Sequence, residues 1–226
     1  MRTWVIGDVH GCLKALNTLV DALQLVTDDQ LIFLGDLVDR GPDSHGVVDR
    51  ILELRAVRVV HVVQGNHEEM MLISRDLPGY AKAWQQYGGK ETLASYGWKH
   101  GVEPGWTQAV PVEHWQFLRD GLVDAVLEQN HIMIHGGIDP EKPLEDQDWN
   151  ELRWQRWDDP QPHCSGNIVI CGHTHQPGGI PVTVGHSICI DTWVYGTGWL
   201  TALELGSYEY VQANQKGQVR RGQLEK

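Results

Sequence analysis

Residues able to bind metal ions or move protons follow three early apolar runs. Residues 4–6 lead into Gly7-Asp8-Val9-His10-Gly11. Residues 31–34 lead into Gly35-Asp36-Leu37-Val38-Asp39-Arg40-Gly41, and residues 57–63 into Gly65-Asn66-His67-Glu68. Two later runs end in His135-Gly136-Gly137 and Cys171-Gly172-His173-Thr174-His175. Carboxylate oxygens and imidazole nitrogens, with no thiolate among them, suit Mn²⁺, Fe or Zn²⁺. A lone Gly-Asp is ordinarily a turn, and a lone histidine a hydrogen-bonded structural residue. His45, His61, His100, His114, His131, His163 and His186 keep that ordinary reading. Five such motifs, each after an apolar run, are more than turns alone explain.

The elements that must position them alternate. Residues 4–6 read as a strand. Leu13, Leu16, Leu19, Val20 and Leu23 recur at helical spacing and predict a helix over about 13–25. A second strand at 31–34, a helical stripe at 47–54 (Val47, Val48, Ile51, Leu52) and a third strand at 57–63 follow. Strands separated by helices imply parallel pairing through crossovers, which collects the strand ends at one edge of the sheet, where ligands bind in open α/β folds. Residues 68–120 read as mostly helical, with breaks at Gly88-Gly89, Gly97 and 101–105. Short apolar segments at 122–127, 131–135, 167–171, 180–184, 187–191, 199–205 and 208–212 read as strands, partly antiparallel. Residues 1–216 form one α/β domain in this reading, and 217–226 a polar, frayed tail.

Composition narrows the function classes. The chain has 226 residues, 18 basic against 30 acidic, and a net charge of −12. That balance offers no Lys/Arg excess for a nucleic-acid or anionic-membrane partner, and no apolar run approaches a membrane span. The four scattered cysteines form no CxxC pair, and Asp8 interrupts the N-terminus before a secretion-signal core, so a reduced, cytoplasmic protein is expected. No glycine-rich dinucleotide fingerprint, P-loop or GxSxG elbow is present. Asp146-Gln147-Asp148-Trp149-Asn150 imitates a calcium loop, but Glu151 stands where the turn glycine belongs, so a solvated acidic loop is expected.

The blocks at 7–11, 35–41 and 65–68 resemble the signature GDxHG, GDxVDRG and GNHE of the phosphoprotein phosphatases. With the His-Gly and Gly-His-Thr blocks, the chain is most similar to the compact bacterial and bacteriophage-lambda type, and residues 76–130 carry little of the likeness. The resemblance implies a calcineurin-like sandwich of four layers, two central mixed sheets flanked by helices. It implies two divalent ions, Mn²⁺ first with Fe or Zn²⁺ as alternatives. Asp8, His10 and Asp36 would hold one ion; Asp36, Asn66, His135 and His173 would hold the other. His67 would be the general acid, oriented by Asp39, and Arg40 and Arg153 would bind phosphoryl oxygens. Two ions about 3.5–4 Å apart can share a hydroxide and aim it in line at phosphorus.

The leading expectation is a metal-dependent phosphomonoesterase acting on phosphoserine or phosphothreonine in proteins, with phosphotyrosine and small phosphate esters also in range. The alternative is a dinucleoside tetraphosphate hydrolase using the same ions on a phosphoanhydride. A non-catalytic metal-binding module is the third reading, and Asp39, Arg40 and His67 argue against it. The chain departs from the family pattern twice. His175 replaces a proline, and Trp193 replaces the glycine of Asp-Thr-Gly. With Tyr195 and the cluster Trp149, Trp154 and Trp157, Trp193 is a candidate to line the cleft and favour flat aromatic substrates.

Overall fold

Strand residues alternate between separate cores, and this alternation sets the layers. The computed structural model describes residues 1–99 and 105–225. Strands β1 (Thr3–Ile6), β2 (Gln30–Phe33) and β3 (Val60–Val62) pair in parallel. They are joined through helices α1 (Leu13–Leu23) and α2 (Ser44–Val57). Helices α3 (Asn66–Asp76), α4 (Ala81–Trp84), α5 (Lys90–Ser95), α6 (Trp106–Ala109) and α7 (Val112–Asp120) follow. Next come β4 (Val126–Glu128), β5 (His131–Met133), α8 (Trp149–Trp154), β6 (Ile168–Cys171), β7 (Val182–Thr183) and β8 (Ser187–Cys189). The last strands are β9 (Leu200–Glu204), β10 (Glu209–Ala213) and β11 (Val219–Gln223).

Two mixed sheets result, one ordered β11-β10-β9-β1-β2-β3 and the other β4-β5-β6-β8-β7. Val5 and Ile32 of the first sheet meet Met133, Ile170 and Ile188 of the second in a shared core. Their neighbours Trp4, Ile6, Leu31 and Phe33 face the opposite way, with Leu16, Leu19, Val47 and Ile51 of the first two helices. The outer face of the second sheet buries Ile132, Val169 and Cys171 with Leu152 of α8. Period-two strands buried on both faces therefore give the expected α/β arrangement of two sheets flanked by helices. Each fully buried aliphatic or Phe side chain contributes about 1.5–3 kcal/mol.

Four expectations need correction. The third strand does not begin at 57: α2 continues through Val57, and the Arg58 amide donates to the Leu54 carbonyl. Val57 is exposed and gains nothing from the sheet, so helix continuation wins there. The strand expected over 180–184 shrinks to Val182–Thr183. The polar tail is not frayed through 219–224. Its alternating residues pair with β10, and Leu224 closes the inter-sheet core. Asp146–Glu151 is not a loop throughout, because Asp148 caps α8 by accepting from the Asn150 amide at 2.8 Å. The break expected at 101–105 lies, apart from Gly105, outside the described residues. Among the described residues, no helix is long and apolar enough to cross a membrane.

Candidate metal centre

The loops after β1 and β2 are bonded to each other before any metal is considered. The amides of Val9 and His10 both donate to the Asp36 carbonyl, at 3.0 and 2.7 Å. Glu68, in the first turn of α3, clamps the second loop. Its carboxylate accepts from the amides of Asp36 (2.8 Å), Leu37 (2.7 Å), Val38 (3.2 Å) and Gly65 (3.0 Å). The chain around the centre is contorted. His10, Asp36, Asp39, Arg40, His173 and Trp193 all have positive φ, from 44° to 72°. Such conformations cost about 1–3 kcal/mol each and persist where surrounding structure over-determines them. Gly88, with φ 116°, lays its turn directly on Arg40, where an added Cβ would come within 2.5 Å of the Arg40 nitrogen.

Asp36 lies between two ligand clusters. Its Oδ2 is 3.3 Å from His10 Nε2, and its Oδ1 is 3.3 Å from His135 Nε2. The Asn66 amide oxygen lies 3.0 Å from His135 Nε2 and 3.0 Å from His173 Nδ1. The ligand atoms of His10, Asp36 and His67, and those of Asp36, His135 and His173, fall within 4.8 Å of one another.

The proton count tests whether these groups fit cations. His10 Nδ1 donates to the Val38 carbonyl (3.0 Å), and His135 Nδ1 to the Leu34 carbonyl (2.7 Å). Burial lowers both imidazole pKa values despite nearby Asp36, and it brings His173, with His135 beside it, down to about 4. The two Nε2 atoms of His10 and His135 therefore carry lone pairs. At His135 that lone pair faces the oxygens of Asp36 and Asn66, so three acceptors converge with no hydrogen between them. A divalent cation reconciles this arrangement, and the residues fit one.

His67 is set apart from the other imidazoles. Its Nδ1 donates to Asp39 at 2.6 Å, and its Nε2 lies 3.9 Å from Asp36. Burial alone would lower its pKa, but Asp36 and Asp39 outweigh burial and raise it. Burial lifts Asp39, against bonds from His67, from Thr92 at 2.7 Å and from the Trp84 indole at 2.8 Å. Arg40 donates to His10 Nε2 at 2.8 Å and lies over the Tyr195 ring, 4.6 Å from its centroid.

Two expected site residues sit differently from the rest. Asp8 is buried and accepts from the His173 amide at 3.0 Å. Burial and the carboxylates of Asp191 and Asp36 push its pKa well up. Gly172 makes room for it, since a Cβ there would lie 2.0 Å from Asp8 Oδ1. Arg153 does not converge on the centre. Its guanidinium binds Glu69 at 2.6 Å and Asp124 at 2.5 Å, beside the His135 turn.

Sequence reasoning assigned no role to Asp191, Glu68, Thr92 or Trp84. Asp191 lies beside Asp8, and burial, with Asp36 nearby, pushes its pKa up to about 6. Asp191 and Glu68 were findable, one just past β8 and the other beside His67. An aromatic row completes the site. Tyr195 packs edge-on against His10 (4.8 Å) and against Trp193 (6.3 Å), and His175 stacks on Trp193 at 5.3 Å and 30°.

A family profile described as calcineurin-like phosphoesterase matches residues 1–177. The chain is 27% identical to an asymmetrical bis(5'-nucleosyl)-tetraphosphatase, PrpE, of Oceanobacillus iheyensis, over 93% of the chain and 91% of that protein. It is 37% identical to serine/threonine-protein phosphatase 1 of Salmonella typhimurium, over 39% of each. A crystal structure of a putative diadenosine tetraphosphatase shares the fold, with TM-score 0.68 and 22% identity over 98% of this chain and 92% of that one. The paired imidazole and carboxylate clusters, the two-sheet architecture and the extent of the profile match together place this chain in the calcineurin-like phosphoesterase family.

Proposed function

We propose that this chain hydrolyses the phosphoanhydride of a dinucleoside polyphosphate, with phosphoprotein esters as the second reading. This reverses the order expected from the sequence. The observation that carries it is the aromatic row, which runs from His10 through Tyr195 to Trp193 and His175. Such a surface suits a flat base, because stacking on an aromatic side chain is worth about 1–3 kcal/mol per base. The tetraphosphatase relative supports it by matching nearly the whole chain, whereas the serine/threonine phosphatase matches 39%. A cavity of about 420 Å³ beyond Arg40, lined by Gln85, Gln86, Tyr87, Gly88, Lys90 and Glu91, offers room for the far end of a long substrate.

Asp36, His10, Asn66, His135 and His173 would hold two divalent ions, Mn²⁺ first, with Asp8 completing the first site. Bound there, the ions would supply water activation and withdraw charge from the phosphoryl group. Arg40 offers a planar fork for phosphoryl oxygens, and the Tyr195 ring beneath it fixes its plane. His67 holds a proton for the departing oxygen. Asp39 fixes that imidazole through Nδ1, so Nε2–H faces the centre. Arg153 reaches a phosphate only by giving up Glu69 or Asp124.

Trp193→Ala tests the reading. KM for a dinucleoside tetraphosphate should rise about 5- to 150-fold, the equivalent of one lost base stack. Turnover of phosphoserine, which has no ring, should stay near wild type. Equal loss on both substrates, or none on either, would contradict the assignment of this surface to a base.

A further inference from the structure

A second cluster of metal-ligating side chains lies on the helical flank, on residues the function does not use. His45 and Asp49 stand one turn apart on α2, and His114 reaches the same carboxylate from α7. His45 Nε2 is 3.2 Å from Asp49 Oδ2, and His114 Nε2 is 2.9 Å from Asp49 Oδ1. The three ligand atoms lie within 4.8 Å of one another. We propose that His45, Asp49 and His114 form a separate divalent-metal site, suited to Zn²⁺, with a fourth position open to water.

An i,i+4 His–Asp pair on a helix surface is ordinary by itself. Here a nearly buried imidazole from another helix converges on it, and an aromatic residue backs both rings. Tyr96, just after α5, stacks on His45 at 4.8 Å and 27°. Its hydroxyl lies 2.8 Å from His114 Nδ1. Two imidazoles and one carboxylate plus water match a three-ligand zinc site. The side chains of His45 and Asp49 are 39% and 52% exposed, which gives an ion a way in, while that of His114 is 4% exposed and anchors the inner side.

Loading needs one internal rearrangement. Without metal, His114 Nε2–H donates to Asp49, and Nδ1 accepts from the Tyr96 hydroxyl. To free the Nε2 lone pair, the proton moves to Nδ1 and donates to the Tyr96 oxygen. The hydroxyl hydrogen turns away, and no net proton leaves the pair. Tyr96 can serve either tautomer, because a phenol both donates and accepts. The bound ion would tie together α2, α7 and the end of α5.

Full-length, chelator-stripped protein dialysed against micromolar Zn²⁺ tests this by elemental analysis. Wild type should hold three equivalents, two at the catalytic centre and one here. His45→Ala and Asp49→Asn should each hold two. In an Asp36→Asn background the flank equivalent should persist, with a Zn²⁺-dependent rise in Tm that His45→Ala removes. The same metal count in wild type, His45→Ala and Asp49→Asn would overturn the proposal.

Discussion

At the residue scale, hydrogen-bond partners divide the labour among three imidazoles. His10 and His135 give their Nδ1 protons to backbone carbonyls and turn bare nitrogens on Asp36, whereas His67 gives Nδ1–H to a carboxylate. In the proposed role of acid, His67, whose pKa is raised by Asp36 and Asp39 against its burial, carries its proton below that pKa and loses it as pH rises through it. On an alkyl phosphate, activity should fall on the alkaline side with a midpoint above the ordinary value of about 6.5. His67→Asn should abolish that limb and lower kcat about 10²–10⁴-fold. The loss should be much smaller on a phosphoanhydride, whose leaving phosphate group needs less help. Rate–pH profiles on both substrates, with metal quantified in each sample, check this. Asp36 makes a different prediction, because one carboxylate serves both clusters. Asp36→Asn should empty both catalytic sites, whereas Asn66→Ala should weaken the His135–His173 site alone. Elemental analysis of the two variants distinguishes a bridging ligand from an ordinary one.

At the element scale, the loop after β2 is the most constrained part of the centre, and Glu68 constrains it. Glu68 Oε1 accepts from the Leu37 and Val38 amides, and Oε2 from those of Asp36 and Gly65. Glu68→Gln keeps the shape but turns an NH₂ toward two of those donors. Each buried amide left unpaired costs about 1–3 kcal/mol, so about 2–6 kcal/mol should be lost in denaturant unfolding. Metal affinity should fall too, because Asp36 belongs to that loop. The strand ends carrying these residues were legible, since glycine-flanked Asp and His after apolar runs mark turns off a sheet edge. The supports of Asp39 were not. Thr92 and Trp84 are 53 and 45 residues from Asp39 in sequence, in helices where nothing local marks their polar tips as special. Nor was the final strand, because its polar alternation reads as solvated until β10 supplies a partner. Arg153 shows the limit of a short motif: Leu152-Arg153-Trp154 fixes a place beside His135, while Glu69 and Asp124 decide where the charge points.

At the scale of the whole molecule, the parallel strands β1, β2 and β3 of one sheet and β5, β6 and β8 of the other bring their carboxyl ends to one site. The first sheet supplies Asp8, His10, Asp36, Asn66 and His67, and the second supplies His135, His173 and Asp191. The helices behind the first sheet hold Asp39, and the segment after β8 carries Trp193 and Tyr195 of the aromatic row. Metal chemistry at the shared edge is common to esters and anhydrides, so the surface beside it must decide which substrate is preferred. The direct test is kcat/KM of one Mn²⁺-loaded preparation on a dinucleoside tetraphosphate and on a phosphoserine peptide, each repeated after chelation and Mn²⁺ add-back. The dinucleoside should be preferred by about tenfold or more, the equivalent of at least 1.4 kcal/mol, and both activities should vanish and return with the metal. A phosphopeptide turned over with the higher kcat/KM, or full activity in metal-free protein, would contradict the account.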